Sequence, residues 1–119
     1  MAGRLTTHVL DTAQGRPAAG VQIALWALDE TGARRLLRAA VTNADGRTDA
    51  PLLEGDDLAV GEYELVFDVG AYFAGAGVAL ADPPFLGLAP VRFAVADAAG
   101  HYHVPLLVSP WAYSTYRGS

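Results

Sequence analysis

Three histidines, His8, His101 and His103, are the residues of this chain whose chemistry best suits catalysis. A neutral imidazole can take a proton from water near pH 7, which makes histidine the commonest general base. His101 and His103 are two positions apart in a segment with strand character, so both project from one face. The three histidines also fit zinc ligation by three nitrogens, and any single histidine is more often an ordinary surface or core residue.

Two further features are candidates for a site. Arg47 follows the turn Asp45-Gly46, where a cation can polarise a carbonyl or hold an anionic substrate, although a solvated loop arginine is the alternative. The run 113–119, YSTYRGS, is rich in hydroxyl and aromatic side chains, but most chain ends fray and carry little chemistry. Cysteine is absent, which excludes a thiol nucleophile and a thiolate metal site.

The elements that must position these residues are short strands separated by Gly, Pro and Asp. Alternating apolar residues predict the strands, with Thr6 and His8 on one face of the first, and a short helix is predicted within 70–79. This pattern favours an all-β sandwich, with a small barrel as the competing architecture. The predicted strands span 5–10, 21–28, 35–42, 61–69, 90–96, 101–109 and, more briefly, 111–117.

Length and charge narrow the class of protein. The chain has 119 residues, which predicts one domain over 1–119, and its net charge of −5 argues against a nucleic-acid-binding protein. No apolar run approaches the ~20 residues that span a bilayer. No apolar stretch follows the start at Met1–Arg4, so we expect no secretory signal and a soluble, cytoplasmic protein.

Three blocks of the sequence resemble the 5-hydroxyisourate hydrolases, a transthyretin-related family. The segment 5–11, LTTHVLD, is similar to the family's opening signature, and Gly20-Val21 and Leu25-Trp26 continue it. Residues 42–47 resemble its second block, and 101–107, HYHVPLL, together with 113–119, YSTYRGS, resemble its third. The segment 85–90, FLGLAP, is more apolar than the family pattern, which affects the expected loop geometry there and not the chemistry.

The resemblance implies a fold, an assembly and a reaction. The fold is a transthyretin-like sandwich of two four-stranded sheets with one short helix, assembled as a homotetramer, a dimer of dimers, with active sites at the dimer–dimer interface. The reaction is hydrolysis of the small molecule 5-hydroxyisourate to 2-oxo-4-hydroxy-4-carboxy-5-ureidoimidazoline in urate degradation. The alternative is a transthyretin-like carrier that binds a small aromatic ligand without reacting with it, because a fold alone does not fix a function.

The resemblance also implies which residues form the site, with no metal and no cofactor. His8, Arg47 and His103 are the implied catalytic residues, and the first and seventh strands of the family's fold are neighbours, so the two histidines can face each other. One histidine would deprotonate water while the other orients it or protonates the leaving nitrogen. The implied substrate-binding residues are Tyr116, Arg117, Gly118 and Ser119.

Overall fold

A computed structural model of the chain describes residues 3–119 as two β-sheets packed against each other, with one short α-helix. Met1 and Ala2, part of the start expected to lack a secretory signal, lie outside the described residues. Helix α1 spans Val69–Gly75, and a 3₁₀ turn spans Gly55–Asp57. The strands are β1 (Arg4–Asp11), β2 (Arg16–Pro17), β3 (Gln22–Leu28), β4 (Arg34–Val41), β5 (Leu53–Glu54), β6 (Gly61–Asp68), β7 (Leu88–Val95), β8 (His101–Val108) and β9 (Tyr113–Thr115).

The inner faces of the two sheets form one core, because apolar side chains alternate with polar ones along the strands. The first sheet has the order β2-β1-β8-β9, with β5 also paired to β1, and the second has the order β4-β3-β6-β7. In β1, Leu5 and Val9 are fully buried, while Thr6 and His8 lie on the opposite, partly exposed face. This alternation leaves the outer face of β1 available for a site.

Strands β1 and β8 lie side by side in parallel, although Thr6 and His103 are 97 positions apart in the sequence. Their register pairs Arg4 with His101, Thr6 with His103 and His8 with Pro105. Paired residues of neighbouring strands project from the same face of a sheet. The three histidines therefore share the outer face of the first sheet.

The predicted all-β sandwich with one short helix is confirmed. The second sheet has the four strands that were expected. The first has five and not the expected four, because β1, β8 and β9 are joined by the two-residue strands β2 and β5. The helix begins earlier than the predicted segment, since the Asp68 carboxylate accepts a hydrogen bond from the backbone N–H of Ala71 at 3.2 Å and caps its first turn. Within residues 3–119, no helix is both long and apolar enough to cross a membrane.

Strand β9 is shorter than the predicted 111–117, and Pro105 explains where it stops. In the register that pairs Leu106 with Thr115 and His103 with Gly118, Pro105 lies opposite Tyr116. Proline has no backbone N–H, so it cannot donate to the ladder at this position. The carbonyl of Pro105 instead accepts the Thr115 hydroxyl at 2.7 Å. Regular pairing ends at Thr115 and resumes as an isolated bridge at Gly118.

Candidate active site

The side chains of His101 and His103 flank Thr6 on the outer face of the first sheet. The Thr6 Oγ1 lies 2.8 Å from the His103 Nδ1 and 3.1 Å from the His101 Nε2. The centroids of the two imidazole rings are 6.4 Å apart. Within residues 3–119, no protein group forms a hydrogen bond with the Nε2 of His103. His103 is therefore fixed through one ring nitrogen and keeps the other for a ligand.

His8 lies on the same face, two positions further along β1 than Thr6. Its Nε2 is 2.8 Å from the backbone carbonyl oxygen of Asp45. A carbonyl oxygen only accepts hydrogen bonds, so the Nε2 of His8 carries a hydrogen and donates it. The Nδ1 is then the nitrogen through which His8 can exchange a proton.

A tight turn carries Arg47 to the histidines. The Asn43 Oδ1 accepts hydrogen bonds from the backbone N–H groups of Asp45 and Arg47 at 2.9 Å and 3.2 Å. Gly46 has a φ of 76°, and a Cβ at this position would lie 2.4 Å from the carbonyl oxygen of Val9. The Gly46 carbonyl accepts the Val9 N–H at 2.8 Å. Only glycine allows this close approach, and the approach docks the turn onto β1.

A cleft of about 380 Å³ opens beside these residues. Its size is at the lower end of the range for small-molecule sites. His8 lies next to this cleft and does not belong to its lining. The charged and polar groups that line it include Arg4, Arg47, Asp49, His101, His103 and Ser119.

The surroundings of His103 lower its pKa below the ordinary value of 6.5. Partial burial is the largest cause, because it disfavours the charged imidazolium. The positive charge of Arg47 adds to this effect, followed by the charges of His101 and His8 when they are protonated. A lowered pKa keeps His103 neutral at physiological pH, which is the state in which it can accept a proton.

The last residues of the chain line two different clefts. Gly118 donates its N–H to the carbonyl oxygen of His103 at 2.7 Å, and Ser119 lines the cleft. Arg117 donates to the carbonyl oxygen of His101 at 3.3 Å, and its guanidinium lies over the Tyr102 ring at 4.1 Å. Arg117 and Tyr116 line a second cleft, of about 290 Å³, that does not include the histidines. The tail is bound to β8, and only its last two residues adjoin His103.

Of the residues predicted from the sequence, the structure brings together His103, Arg47 and Ser119 in the cleft, with Gly118 against the ring. His8 adjoins them, while Tyr116 and Arg117 do not face the histidines. Neither Thr6 nor the Asp45 carbonyl was predicted from the sequence to be a site residue. The alternation that placed Thr6 on the face of His8 is the signal that identifies Thr6, whereas a backbone carbonyl leaves no trace in the sequence.

Metal ligation by the three histidines has little support in the geometry. Among residues 3–119, no group of three or more His, Cys, Asp or Glu side chains is placed so that it could hold a metal ion. The Nε2 of His8 faces a carbonyl oxygen, and His101 and His103 each direct one nitrogen to the Thr6 hydroxyl. Three free nitrogens do not converge on one point.

A model of the HIUase/Transthyretin family matches residues 5–118 of the chain. The chain belongs to this family. Its relative 5-hydroxyisourate hydrolase 2 of Rhizobium meliloti (strain 1021) is 64% identical over 117 residues, which cover 98% of this chain and 97% of the relative. The match in sequence extends across the strands and the turn that carry the histidines and Arg47.

Solved structures place the chain in the same HIUase/Transthyretin family. The crystal structure of (S)-allantoin synthase superposes on this chain with a TM-score of 0.93 and 48% sequence identity. The match covers 99% of this chain and 44% of the synthase chain, which is longer. Sea bream transthyretin in complex with thyroxine is 30% identical with a TM-score of 0.84, over 97% of this chain and 94% of that one. These likenesses confirm the expected transthyretin-like fold.

Proposed function

We propose that this chain hydrolyses 5-hydroxyisourate to 2-oxo-4-hydroxy-4-carboxy-5-ureidoimidazoline in urate degradation. The observation that carries the proposal is the cleft in which His103, fixed through Nδ1 and with a lowered pKa, faces Arg47. The 64% identity to a relative named 5-hydroxyisourate hydrolase 2 supports this choice of substrate. We further propose that residues 1–119 act as one domain, because both sheets contribute to one apolar core.

Hydrolysis adds water to a ring carbonyl and then breaks the carbon–nitrogen bond of the ring. One proton must leave the water, and one must reach the leaving nitrogen. His103 is suited to take the first proton at Nε2, since its lowered pKa keeps it neutral. Arg47 is suited to stabilise the negative charge that develops on the carbonyl oxygen, an effect often worth about 3 kcal/mol.

His8 is suited to supply the second proton. Its Nε2–H is held by the Asp45 carbonyl, so the proton would leave from Nδ1 of the imidazolium. This division makes His103 the base and His8 the acid in the first half of the reaction. The two histidines differ in their hydrogen-bond partners, the Thr6 hydroxyl for His103 and the Asp45 carbonyl for His8, which suits them to different roles.

The tail closes one end of the proposed site. Gly118 and Ser119 adjoin His103 and are suited to contact the substrate. Arg117 and Tyr116 lie on the second cleft, so we propose that Arg117 holds the tail on β8 through Tyr102 and the His101 carbonyl. We also propose a homotetramer, a dimer of dimers, in which a neighbouring subunit covers the open cleft, and a cytoplasmic location.

The second candidate function is a carrier of a small aromatic ligand, because a transthyretin solved with thyroxine has the same fold. The feature that argues against it is the group formed by His8, Arg47 and His103. A carrier does not need a neutral imidazole with a free nitrogen next to a guanidinium. Binding of an aromatic ligand without any chemistry would favour the carrier.

The test mixes the purified protein with freshly generated 5-hydroxyisourate and follows its disappearance against the spontaneous decay. We expect acceleration by the native protein and a loss of about 10²-fold or more in His103→Asn and Arg47→Gln. Arg35→Gln is the matched control, because Arg35 is exposed on β4 in the other sheet. Equal rates in the presence and absence of the native protein would refute the proposal.

A further inference from the structure

We propose that Thr6 and His101 are positioning residues that form a hydrogen-bond relay with His103 and fix the position of its proton. This inference rests on the proposed function, in which the Nε2 of His103 must be free of hydrogen to accept a proton from water. It assigns a role to His101, which lies outside the set of catalytic residues implied by the family resemblance.

The geometry of the relay centres on one hydroxyl group. The Thr6 Oγ1 lies within hydrogen-bond distance of two ring nitrogens, at 2.8 Å from His103 Nδ1 and 3.1 Å from His101 Nε2. The three residues lie next to one another because β1 and β8 pair in parallel with Thr6 opposite His103. The hydroxyl lies between the rings and contacts both.

If the Thr6 hydroxyl donates its one hydrogen to one of the two rings, the relay has two possible directions when both rings are neutral. A hydroxyl has one hydrogen to donate and lone pairs to accept, while a neutral imidazole has one donor and one acceptor nitrogen. In the first direction His103 Nδ1–H donates to Thr6, and Thr6 donates to His101 Nε2. In the second direction His101 Nε2–H donates to Thr6, and Thr6 donates to His103 Nδ1.

Only the first direction gives His103 a basic nitrogen in the cleft. It places the hydrogen of His103 on Nδ1 and leaves the Nε2 lone pair free for a proton of water. The second direction places the hydrogen on Nε2, so the ring becomes a donor and cannot act as the base. We infer that the relay runs from His103 through Thr6 to His101, which accepts the hydrogen of the hydroxyl.

The next residue along β1 shows that the arrangement of Thr6 differs from an ordinary structural hydroxyl. Thr7 is buried, and its hydroxyl donates to the carbonyl oxygen of Val104 at 2.7 Å. This bond satisfies a buried polar group within the sheet and involves no ionisable side chain. Thr6 is partly exposed and joins two histidines of the cleft instead. Thr12 gives the matched control for Thr6→Val, because its hydroxyl also donates to a backbone carbonyl, that of Val108 at 3.1 Å, and Thr12 does not line the cleft.

The first experiment measures the proton position directly and needs no substrate. Nitrogen-15 NMR of the native protein, above the pKa of His103, distinguishes a protonated from an unprotonated ring nitrogen. We expect hydrogen on His103 Nδ1 and on His101 Nδ1, with both Nε2 atoms unprotonated. A hydrogen on His103 Nε2 would overturn the relay as drawn, even if the protein hydrolyses 5-hydroxyisourate. The expected pattern in a protein without that activity would refute only the proposed function.

The second experiment compares variants in the hydrolysis assay. Thr6→Val should lower kcat by roughly ten- to a hundredfold with little change in KM, which is less than the 10²–10⁴ that a general base itself contributes. Thr6→Ser keeps the hydroxyl and should restore most of the rate. Thr12→Val should leave kcat near the native value. Native-like turnover in Thr6→Val would contradict the proposal.

Variants of His101 test the direction in which the hydrogen bonds of the relay run. In His101→Phe the hydroxyl loses its acceptor and turns its hydrogen to His103 Nδ1, so kcat should fall about as far as in Thr6→Val. His101→Gln keeps an oxygen that can accept the hydrogen and should recover part of the loss. The double variant Thr6→Val/His101→Phe should be no slower than the single variants, because all of them break one unit. An unimpaired His101→Phe, or fully additive losses, would overturn the relay.

The pH profile separates the relay from a simple charge effect. The groups that face His103 are Arg47, His8 and His101, and Arg4, Asp49 and Ser119 also line the cleft. Removal of His101 takes away one of the charges that lower the pKa of His103, so the midpoint of the profile should move to higher pH. A charge effect alone would move the midpoint and leave the plateau unchanged. The relay requires the plateau to fall as well.

Discussion

Gly118→Ala is the smallest change that should disable the site without removing any functional group. A Cβ at position 118 would lie 2.6 Å from the Cδ2 and 3.3 Å from the Cγ of His103. Carbon atoms in ordinary contact are about 3.5–4.0 Å apart, so the ring and the tail must separate by roughly 1 Å. The added methyl group therefore acts as a wedge against the proposed base.

Neither the tail nor the His103 ring can move away from the added methyl group without losing a hydrogen bond. The backbone at Gly118 is held by its N–H, which donates to the His103 carbonyl at 2.7 Å, so the tail cannot lift away without breaking this bond. If the ring swings instead, its Nδ1 leaves the Thr6 hydroxyl, which now lies at 2.8 Å. A misplacement of about 1 Å can cost about 10²-fold in rate, and we expect a loss of kcat of that size.

The assay follows the decay of 5-hydroxyisourate with native protein, Gly118→Ala and Gly75→Ala. Gly75 is the matched control, because a Cβ there meets nothing within 4 Å and alanine is well tolerated in α1. Both variants should unfold at temperatures close to that of the native protein, since neither position contributes to the core. Gly75→Ala should keep native kcat.

A Gly118→Ala protein with native kcat and an unmoved His103 ring would refute this reasoning. It would mean that the chain end yields freely, and that the fit of Gly118 against the ring does not position the base. If Gly75→Ala loses as much activity as Gly118→Ala, the loss does not come from contact between position 118 and the His103 ring.

Four further results are expected. Deletion of Tyr116–Ser119 should abolish turnover and leave the unfolding transition in place, and near-native turnover would contradict a role for the tail. The value of kcat/KM should rise with pH through a midpoint below 6.5, because the pKa of His103 is lowered and only the neutral ring accepts a proton; a flat profile from about pH 5 to pH 8 would argue against His103 as the base. Tyr72→Phe removes the 2.7 Å hydrogen bond to the buried Asp11 carboxylate and should lower the free energy of unfolding by about 1–3 kcal/mol in urea titrations, whereas an unchanged midpoint would show that water replaces the bond. Treatment with a chelator should leave the rate of hydrolysis unchanged. If a chelator removes the activity and added zinc restores it, the histidines bind a metal ion after all.

The strand faces were predictable from the sequence because one physical rule governs them. Alternation in 5–10 placed Thr6 and His8 on one face, and the burial of Leu5 and Val9 on the other confirms it. The same rule gave His101 and His103 a common face. Strands β2 and β5 were missed because two residues are too few to show any period.

The details of the site were harder to predict because they depend on pairing between distant segments. Spacing alone does not reveal that Thr6 lies opposite His103, since the register of β1 and β8 is set by the packing of the whole sheet. The tail was treated as one unit, but strand geometry sends neighbouring side chains in different directions. Pro105 interrupts its pairing, so that Arg117 joins Tyr102 while Gly118 joins His103.

The parallel pairing of β1 with β8 also has a consequence for the synthesis of the protein. Strand β1 leaves the ribosome long before its partner exists, and the contacts between Thr6 and His103 close a loop of 97 positions. Pairings so distant in sequence form slowly, because the entropy of closing the loop must be overcome first. Until β8 arrives, the edge of β1 that β8 will pair with has no partner strand, and open edges of this kind promote aggregation. The register that assembles the site therefore leaves one edge of β1 open until β8 has been synthesised.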